Sequence, residues 1–330
     1  MFEMEDVLAD LIRRIQDGEL AAFEEFGRLL HMLLTFFLLG SGVGLHGREA
    51  AKWVDKSILT IAASGYAATA PYFAWLERQF EDLLHREFFH DAARIQNRIM
   101  CELPPLPPGV LAHAVYRPRQ RVSGDLILAV PSGEEVWFAV GDVTGHGTAA
   151  AVYATCIRHV LQMAPTDPEI QADDEPLAAA ARKVNRTVLR DKTGNVALPV
   201  IWARVILRDS IIEVLNCGSP ATPFLLRNGS AEPIDDGSVA LGYFPALSLP
   251  IWRRGLEHGD VLILPTDGLV EQTNADGHMY SNHRLGRSLE TTPSWEPRPL
   301  ADHIFDSLDN FAAGSQQSDD QSLLVIRFGI

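Results

Sequence analysis

The chain has 330 residues, 47% of them hydrophobic and 22% charged, which excludes wholesale disorder and leaves room for two domains. Its 28 basic residues face 43 acidic ones, a formal net charge of -15, which argues against binding nucleic acid through its phosphates. Three scattered cysteines, Cys101, Cys156 and Cys217, give neither a disulfide framework nor a zinc-ligand spacing.

Residues 1–100 read as helical throughout. The start, MFEMEDVLADLIRR, is acidic and amphipathic, unlike a secretory signal, so the cytoplasm is the expected location. Val7, Leu8, Leu11, Ile12 and Ile15 fall at helical spacing, and Gly18 ends that segment. A second helix is expected over residues 19–39. Its apolar run 29–39 is interrupted by His31 and falls well short of the ~20 residues that cross a bilayer. It reads as a buried core helix, and no membrane association is expected. The helical pattern resumes over 49–63 and again from Pro71 to Met100. In the last helix Phe88, Ala92, Ile95 and Ile99 form a narrow apolar stripe at helical spacing. Such a stripe suits pairing with a second copy, giving a homodimer, or packing on the neighbouring domain. The run Leu103-Pro104-Pro105-Leu106-Pro107-Pro108-Gly109 stops the helix, because proline lacks the amide donor and restricts the residue before it. The expected organisation is a helical regulatory domain over 1–85, a helical linker over 86–104 and a second domain over 105–330.

Beyond the prolines the texture changes to short apolar runs bounded by turn residues. Strands are expected over 135–140, 201–207, 211–215, 224–227, 261–264 and 322–328. Two helices interrupt them, over 148–163 and 176–190. Strands in hairpin order with inserted helices point to an α+β layered domain, not to a parallel sheet.

The chemistry lies in aspartates at strand ends. Asp125 stands in Ser123-Gly124-Asp125, and Asp142 opens the loop Val143-Thr144-Gly145-His146-Gly147. Asp267 stands in Thr266-Asp267-Gly268, and Asp319 with Asp320 precedes the last strand. Strand ends are rigid places to hold ligands, and small neighbours let backbone and water approach. Carboxylates without cysteine or HExxH favour hard cations bound by oxygen, Mg²⁺ or Mn²⁺ and not zinc. Two such ions can activate a water and clamp phosphoryl oxygens during in-line attack. Taken singly, each aspartate also suits a turn or a helix cap.

In order, SGD, GDVTGHGTAAAV, LNCGSPATPFLLRNG, HGDVLILPTDGLVEQTNADG and DDQSLLVIRF resemble the protein phosphatase 2C superfamily. They look most like its bacterial sporulation-stage-II-E type, the phosphatases of partner-switching pathways. The resemblance covers residues 105–330 and implies two packed antiparallel sheets flanked by helices. It implies two Mn²⁺ or Mg²⁺ ions held by Asp125, Asp142, the Val143 carbonyl, Asp267 and Asp319, with Asp319 chosen over its neighbour Asp320. The implied reaction is hydrolysis of phosphoserine or phosphothreonine by a metal-activated water. The implied substrate is a phosphorylated anti-sigma-factor antagonist.

Three positions depart from the family pattern. No second acidic residue follows SGD, the asparagine-alanine-glycine-histidine motif is Asn216-Cys217-Gly218-Ser219, and a phenylalanine-glycine pair is Tyr280-Ser281. His146 falls two places beyond the catalytic histidine of eukaryotic relatives, where this chain has Thr144, so a loop role is expected for it. Residues 89–105 resemble the helical linker that precedes this domain in relatives. Residues 1–85 resemble, more loosely, region 2 of extracytoplasmic-function sigma factors, through GELAAFEEF and FAWL. Their acidic character suits contact with an anti-sigma factor or RNA polymerase and not with DNA. The competing reading is a non-catalytic regulatory protein that engages such a partner and uses the phosphatase fold as a scaffold.

Overall fold

The computed structural model describes residues 10, 13, 14, 93–145, 147–190 and 196–329. Apart from residues 10, 13 and 14, which are helical, the helices expected over 1–85, the sigma-like resemblance, and Phe88 and Ala92 of the stripe lie outside them. The chain divides into two compact units, Met1–Glu87 and Phe88–Ile330. No helix among the described residues is long and apolar enough to cross a membrane.

The described residues of the second unit form eleven strands. One sheet runs β1 (Val110–Arg117), β11 (Gln321–Phe328), β10 (Val261–Pro265), β6 (Phe224–Arg227), β7 (Ser230–Pro233). The other runs β2 (Asp125–Ser132), β3 (Glu135–Asp142), β4 (Val200–Ile206), β5 (Ile211–Cys217), β8 (Gly237–Ser238), with β9 (Trp252–Gly255) also on β5. Pairing is antiparallel except between β5 and β8, where Asn216–Cys217 runs parallel to Gly237–Ser238. That corrects the all-antiparallel expectation at one short edge.

Both faces of the first sheet are buried, which explains its unbroken apolar runs. On β10, Leu262 and Leu264 join the core between the sheets, while Val261 and Ile263 lie in the core under the outer helices. On β11, Leu324, Ile326 and Phe328 alternate in the same way with Leu323 and Val325. Helices α1 (Thr148–Met163) and α3 (Pro176–Arg190) cover the second sheet, and the short α2 (Pro168–Gln171) joins them. α4 (Asp267–Val270) is one turn at the end of β10. α5 (Ser281–Glu290) and α6 (Pro297–Ala312) cover the first sheet. Only α1 and α3 were expected from the sequence. α5 and α6 correct that count: α5 is too polar to look like a core helix, and α6 opens with Pro297, which suits a first helical turn.

Residues 93–101 are helical and end at the proline run. Their buried face is Gln96 and Met100, with Ile99 partly buried, whereas Ile95 is 56% exposed. The stripe is therefore split: Ile99 packs on the domain and Ile95 does not.

Candidate metal centre

The β2–β3 hairpin brings the first two carboxylates together. Its turn is two residues, Gly133 and Glu134, so the register places Asp125 directly opposite Asp142. Residues opposed in an antiparallel pair point to the same face. Asp267 arrives from the other sheet, at the end of β10. Carboxylate oxygens of Asp125, Asp142 and Asp267 all lie within 4.8 Å of one another.

Local packing fixes each group. Thr266 Oγ1 donates to Asp125 Oδ2 at 3.0 Å and accepts the Ser322 amide at 2.9 Å, tying β2 to β10 and β11. A Cβ on Gly124 would meet Asp142 Oδ1 at 2.8 Å and the Val143 carbonyl oxygen at 2.9 Å, so these two oxygens converge on the space glycine leaves. A Cβ on Gly268 would fall 1.8 Å from the Asp320 carbonyl oxygen; only glycine lets the Asp267 turn approach the Asp319–Asp320 loop so closely.

The electrostatics are unfavourable as they stand. Burial, reinforced by Asp125 and Asp267, pushes the Asp142 carboxyl up to about 9. Burial, with Glu271 and Asp319 adding to it, raises Asp267 to about 6. Asp125 is completely buried, its Oδ1 has no hydrogen-bond partner, and its carboxyl is held well above the usual range. Crowding three carboxylates together, one completely buried with an orphaned oxygen and two partly buried, costs free energy unless a cation compensates it. The donor set, carboxylates plus a carbonyl, fits Mg²⁺ or Mn²⁺.

Asp319 and Asp320 are placed differently from those three. The two carboxylate oxygens of Asp320 accept the amides of Arg119 at 2.6 Å and Gly124 at 3.1 Å, so Asp320 ties the β1–β2 loop to β11. Asp319 Oδ1 accepts the Asp320 amide at 2.8 Å, and its charge acts on both Asp142 and Asp267.

Two polar residues went unnoticed in the sequence. Gln272, 1% exposed, donates to the Thr273 and Gln316 carbonyls and accepts from the Ser318 amide and Gln321 Nε2. It therefore clamps the loop carrying Asp319 to the turn after Asp267. Gln96 in the helix before the domain donates to the Ser123 carbonyl at 2.8 Å and accepts the Ser123 amide at 3.0 Å, two residues from Asp125. Neither has a motif around it; an apolar-periodic helix interrupted by a glutamine at a core position was the one signal for Gln96.

The profile of the stage II sporulation protein E (SpoIIE) family matches residues 132–329, more than half of the chain. This chain belongs to the SpoIIE family. It is 21% identical over 237 residues to the phosphoserine phosphatase RsbU of Bacillus subtilis, covering 72% of this chain and 68% of RsbU. Among solved structures it superposes on the SiaA-PP2C domain of Pseudomonas aeruginosa with a TM-score of 0.62 at 18% identity, covering 77% of this chain and 98% of that domain. RsbX in complex with magnesium superposes with a TM-score of 0.50 at 15% identity, covering 69% and 100%. These structures carry the two-sheet protein phosphatase 2C fold.

The departures from the SpoIIE-family pattern are accommodated locally. Thr144 closes its loop by accepting the Ala197 amide on Oγ1 at 2.8 Å and donating its own amide to the Ala197 carbonyl at 3.0 Å. His146 lies outside the described residues. Cys217 is fully buried, and burial pushes its thiol up to about 12, which denies it a thiolate at neutral pH. Ser281 has φ 69°, the left-handed region that favours the glycine the family resemblance leads one to expect there.

Proposed function

We propose that this SpoIIE-family chain is a metal-dependent serine/threonine phosphoprotein phosphatase that acts on an anti-sigma-factor antagonist in a partner-switching pathway in the cytoplasm. The observation that carries the reading is the convergence of Asp125, Asp142 and Asp267 at the meeting ends of two sheets. The non-catalytic reading is not favoured, because a scaffold has no use for three converging carboxylates, one of them completely buried with an unpartnered oxygen.

Asp125, Asp142, the Val143 carbonyl, Asp267 and Asp319 are the groups we assign to hold two Mn²⁺ or Mg²⁺ ions. When bound, such ions supply a water-derived nucleophile at neutral pH and positive charge for phosphoryl oxygens. The protein's part is to hold the donors rigidly. Thr266 fixes Asp125, and the glycines at 124 and 268 keep the space open. Asp320 is engaged by backbone amides, which supports Asp319 as the ligand of that pair. The buried Cys217 supports hydrolysis by water in place of a thiol nucleophile. Exposure of Ile95 supports the linker helix as a contact for a second copy or another partner. Contact of residues 1–85 with an anti-sigma factor or RNA polymerase belongs to the same proposal.

The test is hydrolysis of p-nitrophenyl phosphate and of phosphoserine antagonist proteins encoded near the gene, with Mn²⁺. Asp142→Asn and Asp267→Asn should each abolish turnover with circular dichroism unchanged. Full activity in both variants at saturating Mn²⁺ would remove the metal mechanism.

A further inference from the structure

Most large apolar side chains of the phosphatase unit are buried, but Tyr243 and Phe244, adjacent in the chain, are 58% and 56% exposed, with Val239 46% exposed nearby. Their rings lie 6.4 Å apart, tilted at 48°. Two exposed aromatics on a slack loop would mean little. This loop is held at both ends. Leu241 exchanges backbone hydrogen bonds with Leu198 at 2.8 and 3.1 Å. Asn185, 2% exposed, accepts the Gly242 amide at 2.7 Å and donates to the Phe244 carbonyl at 2.8 Å. A buried amide that uses both its ends to fix the backbone beneath two exposed rings presents those rings in a set position, which lowers the ordering cost of binding.

The segment that anchors this loop also anchors the metal centre. The Pro199 carbonyl accepts the Asp142 amide at 3.0 Å, and Ala197 bonds Thr144 in both directions, while Leu198 between them pairs with Leu241. The loop is thus two backbone spacings from Asp142, roughly 10 Å at ~4.8 Å each. Tyr243 follows two residues later, so it lies within about 17 Å of Asp142 even by the path along the chain. A folded protein docking on another typically covers about 800 Å² on each partner, a disc of radius about 16 Å. This loop therefore lies about one interface radius from the carboxylates, a distance at which a phosphoprotein presenting its phosphate there can reach it. Rigid exposed aromatics are the side chains that concentrate binding energy in such contacts.

We propose that Val239, Tyr243 and Phe244 form the docking surface for the folded phosphoprotein substrate, gripping an apolar patch beside its phosphorylated residue. The proposal rests on the phosphatase reading above and adds the determinant that separates protein substrates from small phosphate esters. The surface is set by Asn185 and the Leu198–Leu241 pair, and it takes no part in hydrolysis itself.

The experiment compares wild type with Tyr243→Ser, Phe244→Ser and the double variant, using the phosphoserine antagonist that wild type dephosphorylates. Two further substrates are a short phosphoserine peptide cut from that antagonist and p-nitrophenyl phosphate. The expected result is a loss of about 30-fold or more in kcat/KM for the folded antagonist in the double variant, expressed mainly in KM. Rates on the peptide and on p-nitrophenyl phosphate, and the Tm, should stay at wild-type values. Equal rates on the folded antagonist would overturn the docking surface alone. Parallel losses on all three substrates would also overturn it, because the loop would then shape the metal centre. A sedimentation shift between wild type and the double variant would reassign the patch to a second copy of the chain. A wild type that hydrolyses p-nitrophenyl phosphate but no phosphoprotein would sink the substrate reading and the docking surface with it.

Discussion

Three carboxylates placed within 4.8 Å of one another repel, and the buried Asp125 has no way to spread its charge into water. With its carboxyl pushed up to about 9, Asp142 must take up a proton when the metal-free chain folds at neutral pH, so replacing it should help the metal-free protein while harming the loaded one. Asp142→Asn is expected to raise the Tm measured in chelator and to abolish the rise that Mn²⁺ gives wild type. Calorimetry with and without Mn²⁺ reads both effects, and an unchanged Mn²⁺-dependent rise would remove Asp142 from the ligand set. A second residue-scale outcome concerns Ser281. A side chain in the left-handed region costs about 1–2 kcal/mol, partly offset by the extra unfolded-state freedom of glycine. Ser281→Gly should gain up to about 1 kcal/mol, a Tm rise of about 2–4 °C in a domain of this size. The sequence showed these residues as separate marks. The signal that joined Asp125 to Asp142 was present, a two-residue Gly133-Glu134 turn between apolar runs, because such a turn fixes the register residue by residue. Nothing comparable announced Asp267, whose approach depends on how two sheets pack.

At the scale of elements, most strands buried on both faces were legible because their apolar runs have no other use, though the buried β2 was missed, and α1 and α3 were legible because alanine and periodic apolar residues filled them. β1 escaped notice, being an edge strand with several half-exposed positions, and α5 because Asn282, His283, Arg284 and Arg287 dilute its apolar face. The linker helix was read by its apolar stripe, yet its firmest grip on the domain is polar. Gln96 satisfies both the amide and the carbonyl of Ser123. Gln96→Ala leaves two buried backbone groups without partners, each costing about 1–3 kcal/mol. The variant should unfold at lower temperature and bind Mn²⁺ more weakly, since Asp125 follows Ser123 by two residues. Gln96→Glu, which keeps one acceptor, should recover part of the loss. Urea denaturation and Mn²⁺ titration measure the two effects, and wild-type values in both would reduce the helix to a tether.

For the whole molecule, charge sets the conditions of encounter. With a net charge of -15, the chain repels a phosphorylated partner of the same sign at distances beyond the docking contact. Salt shortens the range of that repulsion to about 8 Å at physiological ionic strength. KM for an acidic phosphoprotein should therefore fall as salt rises from low to physiological strength, while hydrolysis of p-nitrophenyl phosphate changes less. Steady-state rates at two salt concentrations decide it, and a KM that rises with salt would mean local attraction dominates.

The sheet that carries Asp267 closes by pairing β1 with β11 over eight residue pairs, Val110 with Phe328 through Arg117 with Gln321. The first strand of the domain thus waits for the last one to be synthesised. Until then β1 and β10 each lack the neighbour that lies between them, and the Asp319–Asp320 loop does not yet exist. Domains that finish on their last strand cannot fold progressively as they leave the ribosome, so the nascent chain carries exposed apolar strands for most of its synthesis. A chain without β11 would lack both the strand that closes the sheet and the acid pair before it, so the metal centre proposed above would not assemble in it.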